Sequence, residues 1–364
     1  MINKLVIENL KHRPVRTLLS AIAIGVQVAM ILTLVGVSKG MLNDQKQRSR
    51  GVGADIIVRP PGSAAIGLTG NFDERILPFL QKQSHVAMAT GILVEPTGPL
   101  TSITGLDFAG FQKMSGDFRF LKGGPIQRPG EVVIDEYYAR EHKLKPGSVL
   151  KIFNQEWRVA GVFEQGKLAR IVVPLAVLQS ITASTGKLSA IYVKLDDPAL
   201  TDSVIAQWKS GGLADYQILS MEALLSQMSV NNIPVLKAFI GVVITLGVIV
   251  GFLVVFLSMY TAVLERTREI GILKALGASP GFILSILFRE TTVLAVIGTF
   301  AGIGLSYAAR WLIMTLVPGS LMQAIVPDWW PIAGAIALGG SLLGAVYPGL
   351  KAARQDAIEA LAYD

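Results

Sequence analysis

The sequence predicts an α-helical membrane protein with four transmembrane helices and a mixed α/β extracytoplasmic domain inserted between the first and second helices. Of the 364 residues, 51% are hydrophobic and only 16% are charged, whereas soluble domains carry about 25% charged residues. Four apolar tracts are long enough to cross a bilayer, which takes about 20 residues. A long polar segment separates the first tract from the other three, and this segment is predicted to fold as the extracytoplasmic domain.

The elements of the predicted membrane part follow in chain order. Residues 1–16 are predicted to contain an amphipathic helix that lies on the inner leaflet and is stopped by Pro14. The third span contains Arg289 and Glu290, and placing an ionisable side chain inside a bilayer costs free energy. We expect Arg289 to reach the inner headgroups and Glu290 to have a packing or conformational role. The predicted spans are 17–38, 236–264, 281–317 and 329–350.

The basic residues of the short loops predict the orientation, because such residues are enriched on the cytoplasmic side. Both termini and the loop 265–280 are rich in Lys and Arg, whereas the loop 318–328 has neither. The termini, including the tail 351–364, are therefore expected to be cytoplasmic, and the loop 318–328 and the segment 39–235 are expected outside. Gly40–Val235 holds 20 Lys+Arg and 18 Asp+Glu, so only +2 of the total +7 lies there. This distribution indicates membrane topology rather than nucleic-acid binding.

The segment 39–235 is predicted to be mixed α/β with two lobes, one of them built from both ends of the segment. Its flanks, 39–50 and 220–237, are polar and helix-compatible and are predicted to form a stalk, the second flank being broken before Pro234. Alternating apolar residues predict the strands, and apolar residues at helical spacing predict the helices. The predicted strands lie within 54–62, 131–152, 156–164 and 189–197, and the helices within 72–83, 131–152 and 201–210.

The sequence contains no pattern typical of an enzyme. There is no cysteine, no phosphate-binding loop of the form G-x-x-x-x-G-K-[ST], no G-x-S-x-G, and no pair of histidines at the spacing of a zinc helix. We therefore expect no catalytic residue, no metal site and no bound cofactor in this chain.

Glycines recur at four-residue spacing in three of the four spans. Small residues at this spacing let helices approach closely inside a bilayer, which predicts a tight bundle or a dimer. The glycines are Gly247, Gly251, Gly298, Gly302, Gly340 and Gly344.

The stretch "LERTREIGILKALGASPG" between the second and third spans predicts a short amphipathic helix over 265–276. Glu265 and Glu269 lie one turn apart on one face, and an apolar stripe of Ile270, Leu273 and Leu276 lines another. Gly277 is placed to end the helix. Such a helix is either a solvated connector or a docking element. The apolar stripe favours docking, because a connector of this length needs none.

This stretch, with the downstream Glu290, Gly298 and Gly302, resembles the permease core of the MacB/FtsX-type (type VII) ABC transporters. The N-terminal "LKHRPVRTLLSAIAIGV" and the C-terminal "YPGLKAARQDAIEAL" resemble that family's first span and ending, so the resemblance covers the whole chain. Two departures are visible. MacB carries a fused ATPase ahead of its first span and this chain does not, which implies a separate ATPase subunit, and Asp356-Ala357 stands where the family often has Asp-Pro.

The resemblance implies a permease in the bacterial inner membrane that is coupled by mechanotransmission to a dimer of P-loop ABC ATPase subunits, which bind the ATP and Mg. Further implied partners are a second permease copy, identical or different, membrane lipids, and a periplasmic adaptor with an outer-membrane channel. The implied function is export or efflux of a peptide, antibiotic or lipid-like substrate. The alternatives are lipoprotein extraction and a non-transporting regulator of a cell-wall hydrolase. The residues implied to dock the ATPase are Glu265, Arg266, Arg268, Glu269, Gly271, Lys274 and Gly277.

Overall fold

The computed structural model describes residues 6, 8, 9, 11, 14–63, 71–98, 101–317 and 321–356. The chain divides into two compact units. The membrane unit comprises the residues up to Ser38, Val235–Leu312 and those from Gln323 onward, and the inserted unit comprises Lys39–Pro234 with Ile313–Met322. Much of the predicted N-terminal helix 1–16, and parts of the loop 318–328 and of the tail 351–364, lie outside the described residues.

The described α-helices are numbered in chain order. They are α1 (Pro14–Arg50), α2 (Ile76–Gln81), α3 (Phe108–Ser115), α4 (Glu136–Glu141), α5 (Leu175–Ile181), α6 (Thr201–Ser210), α7 (Met221–Gln227), α8 (Pro234–Glu265), α9 (Thr267–Ala275), α10 (Pro280–Leu316) and α11 (Trp330–Arg354).

Four helices in the described part of the chain are long and apolar enough to cross a membrane, namely α1, α8, α10 and the helical stretch that ends with α11. Their bounds differ from the predicted spans. The largest difference is in α1, which continues past residue 38 to Arg50 without interruption. The predicted span and the predicted stalk segment 39–50 are therefore one helix, because no proline or glycine pair breaks the pattern between them. At the other flank, α7 ends at Gln227 and α8 begins at Pro234.

Glycines mark the places where the helices of the membrane unit approach each other. A Cβ on Gly298 would lie 2.7 Å from the Ile24 side chain, and one on Gly302 would lie 2.6 Å from Val28. Gly251 lies on the neighbouring helix α8, and the Gln27 side chain of α1 occupies the space that a Cβ on Gly251 would need. Helix α1 therefore packs against both α8 and α10 at backbone contact distance, which only residues without a side chain permit.

Two further glycines of the predicted set lie at the same kind of contact. A Cβ on Gly247 would lie 3.0 Å from Met30, and one on Gly344 would lie 2.7 Å from the Phe252 carbonyl oxygen, which places α11 against α8. Gly340 has more room, with Val248 at 3.7 Å.

The described strands of the inserted unit are β1 (Ile56–Arg59), β2 (Phe72–Asp73), β3 (Val86–Pro96), β4 (Ser102–Leu106), β5 (Phe120–Gly123), β6 (Glu131–Asp135), β7 (Val149–Ile152), β8 (Gln155–Phe163), β9 (Ile171–Pro174), β10 (Lys187–Leu188), β11 (Ala190–Leu195) and β12 (Gln217–Ser220).

Ten of these strands form one mixed sheet in the order β12-β1-β11-β3-β4-β9-β6-β8-β5, with β7 paired to β8. Strands β2 and β10 form a separate two-stranded sheet. Most pairs are antiparallel, and β4–β9 and β6–β8 are parallel.

Two hydrophobic cores lie along this sheet. One joins residues from both ends of the inserted segment, such as Ile56 and Ile191, with Trp208. The other is formed by the middle of the segment and includes Val132 and Trp157. The two predicted lobes thus exist as two cores, and they share one continuous sheet. Strands β3, β4 and β9 connect them, and they were not among the predicted strands.

Candidate functional site

Helix α9 is the short charged helix that the sequence predicts between the second and third spans. Its end is a Schellman motif, in which the Ala278 backbone N–H donates to the Leu273 carbonyl oxygen at 3.0 Å and that of Gly277 donates to Lys274 at 2.9 Å. Gly277 has a φ of +94°, which glycine adopts without steric cost. The helix covers 267–275 rather than the predicted 265–276, because Arg266 takes a non-helical conformation at its start.

One face of α9 is held against the membrane unit. The Ile270 side chain is buried in a cluster with Val263 from α8, Ile283 and Leu287 from α10 and Ala352 from α11. At the end of the helix, the Lys274 ammonium donates to the Ala353 carbonyl oxygen at 2.9 Å and also to that of Gln355. Three transmembrane helices therefore contact α9, and the orientation of α9 depends on all of them.

The opposite face of α9 is exposed. Arg268, Ile272 and Leu276 follow one another at four-residue spacing and lie on this face with Glu269. Leu276 is 80% exposed and Ile272 is 46% exposed. Two aliphatic side chains flanked by one charge of each sign form a surface suited to a protein partner, because exposed apolar residues rimmed by polar ones mark such contacts. We call Arg268, Glu269, Ile272 and Leu276 the exposed face of α9.

A buried ionic network lies at the base of α9. The Glu290 side chain, on α10, is only 1% exposed. Its Oε1 atom lies 3.3 Å from Nη2 of Arg16 on α1, and its Oε2 atom lies 3.5 Å from Nη1 of Arg266. Arg16 also contacts Glu265 at 3.4 Å, and Arg266 donates to the Asn9 carbonyl oxygen at 3.0 Å. The network joins α1, the end of α8, the start of α9 and α10.

The network accounts for an ionisable residue inside an apolar helix. A buried carboxylate is tolerated when opposite charges pair with it, and two guanidinium groups from different helices do so here. Loss of one partner leaves an uncompensated buried charge, so the helices that carry these groups are constrained relative to each other. Arg289, next to Glu290, lies on the exposed surface.

The structure divides the residues that were predicted to dock a partner. Arg268, Glu269 and Gly277 are exposed, and Gly271 is buried. Glu265 is exposed as well but pairs with Arg16 of α1. Arg266 and Lys274 contact other parts of the membrane unit.

The predicted apolar stripe of Ile270, Leu273 and Leu276 is divided as well, because Ile270 and Leu273 pack in the cluster of the membrane unit whereas Leu276 is exposed. Sequence reasoning missed the exposed Ile272, although its four-residue spacing from Arg268 is visible in the sequence.

The contribution of Arg16 to the network was also missed, and no local signal could have revealed it. Arg16 and Glu290 are 274 residues apart in the chain, and their contact depends on the packing of α1 against α10.

Two family models match the chain. Residues 17–210 match a MacB-like periplasmic core domain, and residues 241–357 match an FtsX-like permease C-terminal region. The first match covers α1 and most of the inserted unit, and the second covers α8 to α11 with the α9 site.

The chain is similar to several curated proteins. It is 28% identical over 68% of its length to the uncharacterized ABC transporter permease YknZ of Bacillus subtilis, of which the match covers 64%. It is 26% identical over 95% of its length to the macrolide export ATP-binding/permease protein MacB of Rhodospirillum rubrum, of which the match covers 58%. The chain thus spans about three fifths of the length of these relatives. The solved periplasmic region of MacB from Actinobacillus actinomycetemcomitans aligns with 49% of this chain and 94% of its own, at 19% identity and a TM-score of 0.38.

Proposed function

Because the chain belongs to the family of ABC transporter permeases that carry a MacB-like periplasmic core domain, we propose that an ABC ATPase docks on α9 and drives movement of the inserted unit. The ATPase would bind the ATP and Mg, and this chain would supply the docking surface and the moving helices. The proposed substrate is a peptide, antibiotic or lipid-like molecule. It would be exported without having to cross the bilayer through the permease itself. A second permease copy would complete the complex.

The observation that carries this proposal is the two-sided character of α9. Its inner face contacts α8, α10 and α11 and lies next to the Glu290 network, while its exposed face presents Ile272 and Leu276. A force applied to the exposed face would therefore reach several transmembrane helices at once, because the inner contacts are buried and ionic. A helix that served only as a connector would need neither set of contacts.

The network gives the individual residues distinct roles in this proposal. Arg268, Glu269, Ile272 and Leu276 would contact the ATPase. Lys274 would tie the end of α9 to α11, and Arg266 would tie its start to Glu290 on α10. Arg16 would extend the connection to α1, which continues without a break to Arg50 in the inserted unit.

The direct test is affinity purification of the tagged full chain from native membranes in a mild detergent, with the co-purifying proteins quantified by mass spectrometry. We expect a P-loop ATPase at near-equal stoichiometry. Its absence would contradict the docking role of α9. Any additional protein would identify the external partner, since an adaptor points to efflux, a lipoprotein to extraction and a cell-wall hydrolase to regulation.

A variant of the exposed face makes this test specific. Leu276→Glu places a charge where an apolar contact is proposed, and we expect ATPase recovery to fall about tenfold or more, the usual consequence of losing a central apolar anchor. The matched control is Leu121→Glu, which makes the same change at another exposed leucine, in the inserted unit. Equal recovery with both variants would place the docking surface elsewhere.

A further inference from the structure

A second cluster of charges is buried in the inserted unit, apart from α9. It contains two acids and two arginines and is neutral overall. Nη2 of Arg170 lies 2.9 Å from Oδ2 of Asp44, and Nη1 of the same group lies 3.3 Å from Oδ2 of Asp135. Nη2 of Arg48 lies 3.1 Å from the same Asp44 oxygen. We call Asp44, Arg48, Asp135 and Arg170 the joint cluster.

Two members of the joint cluster are fixed in the sheet. Asp135 ends β6 and Arg170 immediately precedes β9, and these strands pair with each other. The Asp135 backbone N–H donates to the Arg170 carbonyl oxygen at 2.8 Å. Oδ1 of Asp135 accepts from the Tyr138 backbone N–H at 2.7 Å and so caps α4. The positions of the Asp135 carboxylate and of the Arg170 backbone are therefore set by the sheet.

The other two members belong to the end of α1. Asp44 and Arg48 lie one turn apart on this helix and pair with each other. The Arg170 guanidinium consequently bridges a helix and a sheet, with one terminal nitrogen on each carboxylate. A planar guanidinium imposes a defined geometry on two acceptors, which a lysine ammonium would not do.

Close backbone contacts surround the joint cluster. A Cβ on Gly51, directly after α1, would collide with the Gly166 carbonyl oxygen in the loop before β9. Gly53, with a φ of +73°, has the Met114 carbonyl oxygen of α3 at 2.8 Å from its Cβ position. In the same loop, the Lys167 ammonium donates to the Ser115 carbonyl oxygen. The end of α1 is therefore held at the backbone as well as by charge.

Stability alone does not account for this arrangement. Removing four charges from water costs free energy that ion pairing only partly restores, so a buried ionic cluster contributes little net stability. The pKa of Asp135 is raised to about 6, chiefly by burial, although Arg170 opposes the shift. The cluster instead selects one orientation of α1 on the sheet, because each buried charge requires its partner in one geometry. Any other orientation of α1 on the sheet would leave buried charges unpaired.

We propose that Asp44, Arg170 and Asp135 are positioning residues that fix the end of α1 to the sheet of the inserted unit, so that helix and sheet move as one body. This inference rests on the proposed function in one respect: the movement to be passed on is that of an ABC permease. It adds the residues through which a displacement of α1 would reach the sheet.

The test uses distance measurements within the inserted unit of the full chain in lipid nanodiscs. The chain has no native cysteine to be removed, so spin labels can be attached through Asn43→Cys on α1 and Lys145→Cys after α4, both at exposed positions. We expect one narrow distance distribution. In Asp44→Asn, which breaks the pairs with both arginines, we expect the distribution to widen about twofold or more because the helix gains alternative orientations.

Two variants separate a positioning role from a general loss of structure. Asp44→Glu keeps the carboxylate and should restore a narrow distribution, and Asp202→Asn, an exposed acid on α6, should leave it unchanged. Tryptophan fluorescence of Trp157 and Trp208, recorded in a chain whose other three tryptophans are replaced by Phe, reports whether the unit is folded. If Asp44→Asn does not fold, Asp135→Asn, which keeps the cap of α4, replaces it with the same expected widening.

A distribution in the neutralised variant as narrow as in the unmodified chain would overturn the inference. A second measurement uses the complex with its ATPase, in which ATP should leave the distance between Asn43 and Lys145 unchanged. An ATP-dependent change in that distance would also overturn it. Failure to recover any ATPase would overturn the proposed function instead, and the distances measured in the chain alone would still decide whether the joint is rigid.

Discussion

Glu290 and Arg16 meet with 3.3 Å between Oε1 and Nη2, although α10 and α1 carry them at opposite ends of the sequence. The pair is completed by Arg266 at the start of α9. It links the proposed docking helix to the helix that leads into the inserted unit.

Neutralising Glu290 should destabilise the membrane unit. In Glu290→Gln the two arginines lose their shared carboxylate, and breaking such a buried pair costs about 3 kcal/mol or more. We expect a clearly lower thermal midpoint of the purified full chain in nanodiscs. Glu269→Gln makes the same change at an exposed acid of α9 and should have little effect. Equal midpoints for both variants would mean that the network does not constrain the helices.

The same network predicts non-additive mutations. Once Glu290 has been neutralised, Arg266→Gln should cost much less than it does alone, because it removes a charge that has already lost its partner. A double-mutant cycle on the thermal midpoint measures this coupling. Strictly additive effects of the two mutations would contradict the pairing.

Reversing a charge on the exposed face of α9 should uncouple the complex. Glu269→Lys leaves the buried contacts of α9 intact, because Glu269 lies on the exposed side. We expect normal membrane insertion and loss of permease-stimulated ATP turnover in the purified complex. Glu156→Lys, an exposed acid of the inserted unit, is the control with the same change of charge. Normal stimulated turnover in Glu269→Lys would exclude Glu269 from the docking surface.

Two glycines of α10 should respond oppositely to alanine. A Cβ at Gly302 would lie 2.6 Å from the Gly25 carbonyl oxygen and from Val28, whereas one at Gly304 would meet no atom within 4 Å. Gly302→Ala should therefore lower the thermal midpoint by forcing α1 and α10 apart. Gly304→Ala should leave it unchanged or raise it, since alanine favours helix by about 1 kcal/mol over glycine. The same loss in both variants would contradict the packing of α10 on α1.

The stability of the inserted unit should decrease as the pH rises. Asp135 has a pKa of about 6 in the folded state, above its ordinary value of 3.8. The folded unit therefore holds more protons between these values, and the contribution of this group is present below pH 4 and lost as the pH rises through about 6. The groups that face Asp135 are Arg170, Arg48 and Asp44.

The size of this effect follows from the shift. About two pKa units correspond to about 3 kcal/mol over the whole titration, of which roughly half remains at pH 5 and almost none at pH 7.5. The unit should therefore melt at a lower temperature at pH 7.5 than at pH 5, as followed by Trp157 and Trp208 fluorescence in a chain whose other three tryptophans are replaced by Phe. Asp135→Asn keeps the cap of α4 and cannot titrate, so it should reduce the difference in melting temperature between pH 5 and pH 7.5. An unchanged difference in that variant would assign the pH dependence to other groups.

The sequence predicted the class of the fold because membrane spans have a local cause. An uncharged and mostly apolar stretch of about 20 residues, such as 17–38, must leave water wherever the rest of the chain lies. The amphipathic pattern of 265–276 is likewise local. The two lobes of the inserted unit also followed from the alternating strands at its ends. Strands β3 and β9 were missed because they are buried in the middle of a sheet, where the alternation of polar and apolar residues is weak.

The sequence by itself determined four apolar helices, an inserted α/β domain and a charged helix before the third span, because each depends on the residues of one short segment. Only the tertiary structure decided which residues of that helix face outward, since Arg266 and Lys274 are as polar as Arg268. It also decided that Arg16 pairs with Glu290 and that Asp44 and Asp135 share Arg170. These pairs join residues far apart in the chain, and their energies arise only when folding removes both charges from water.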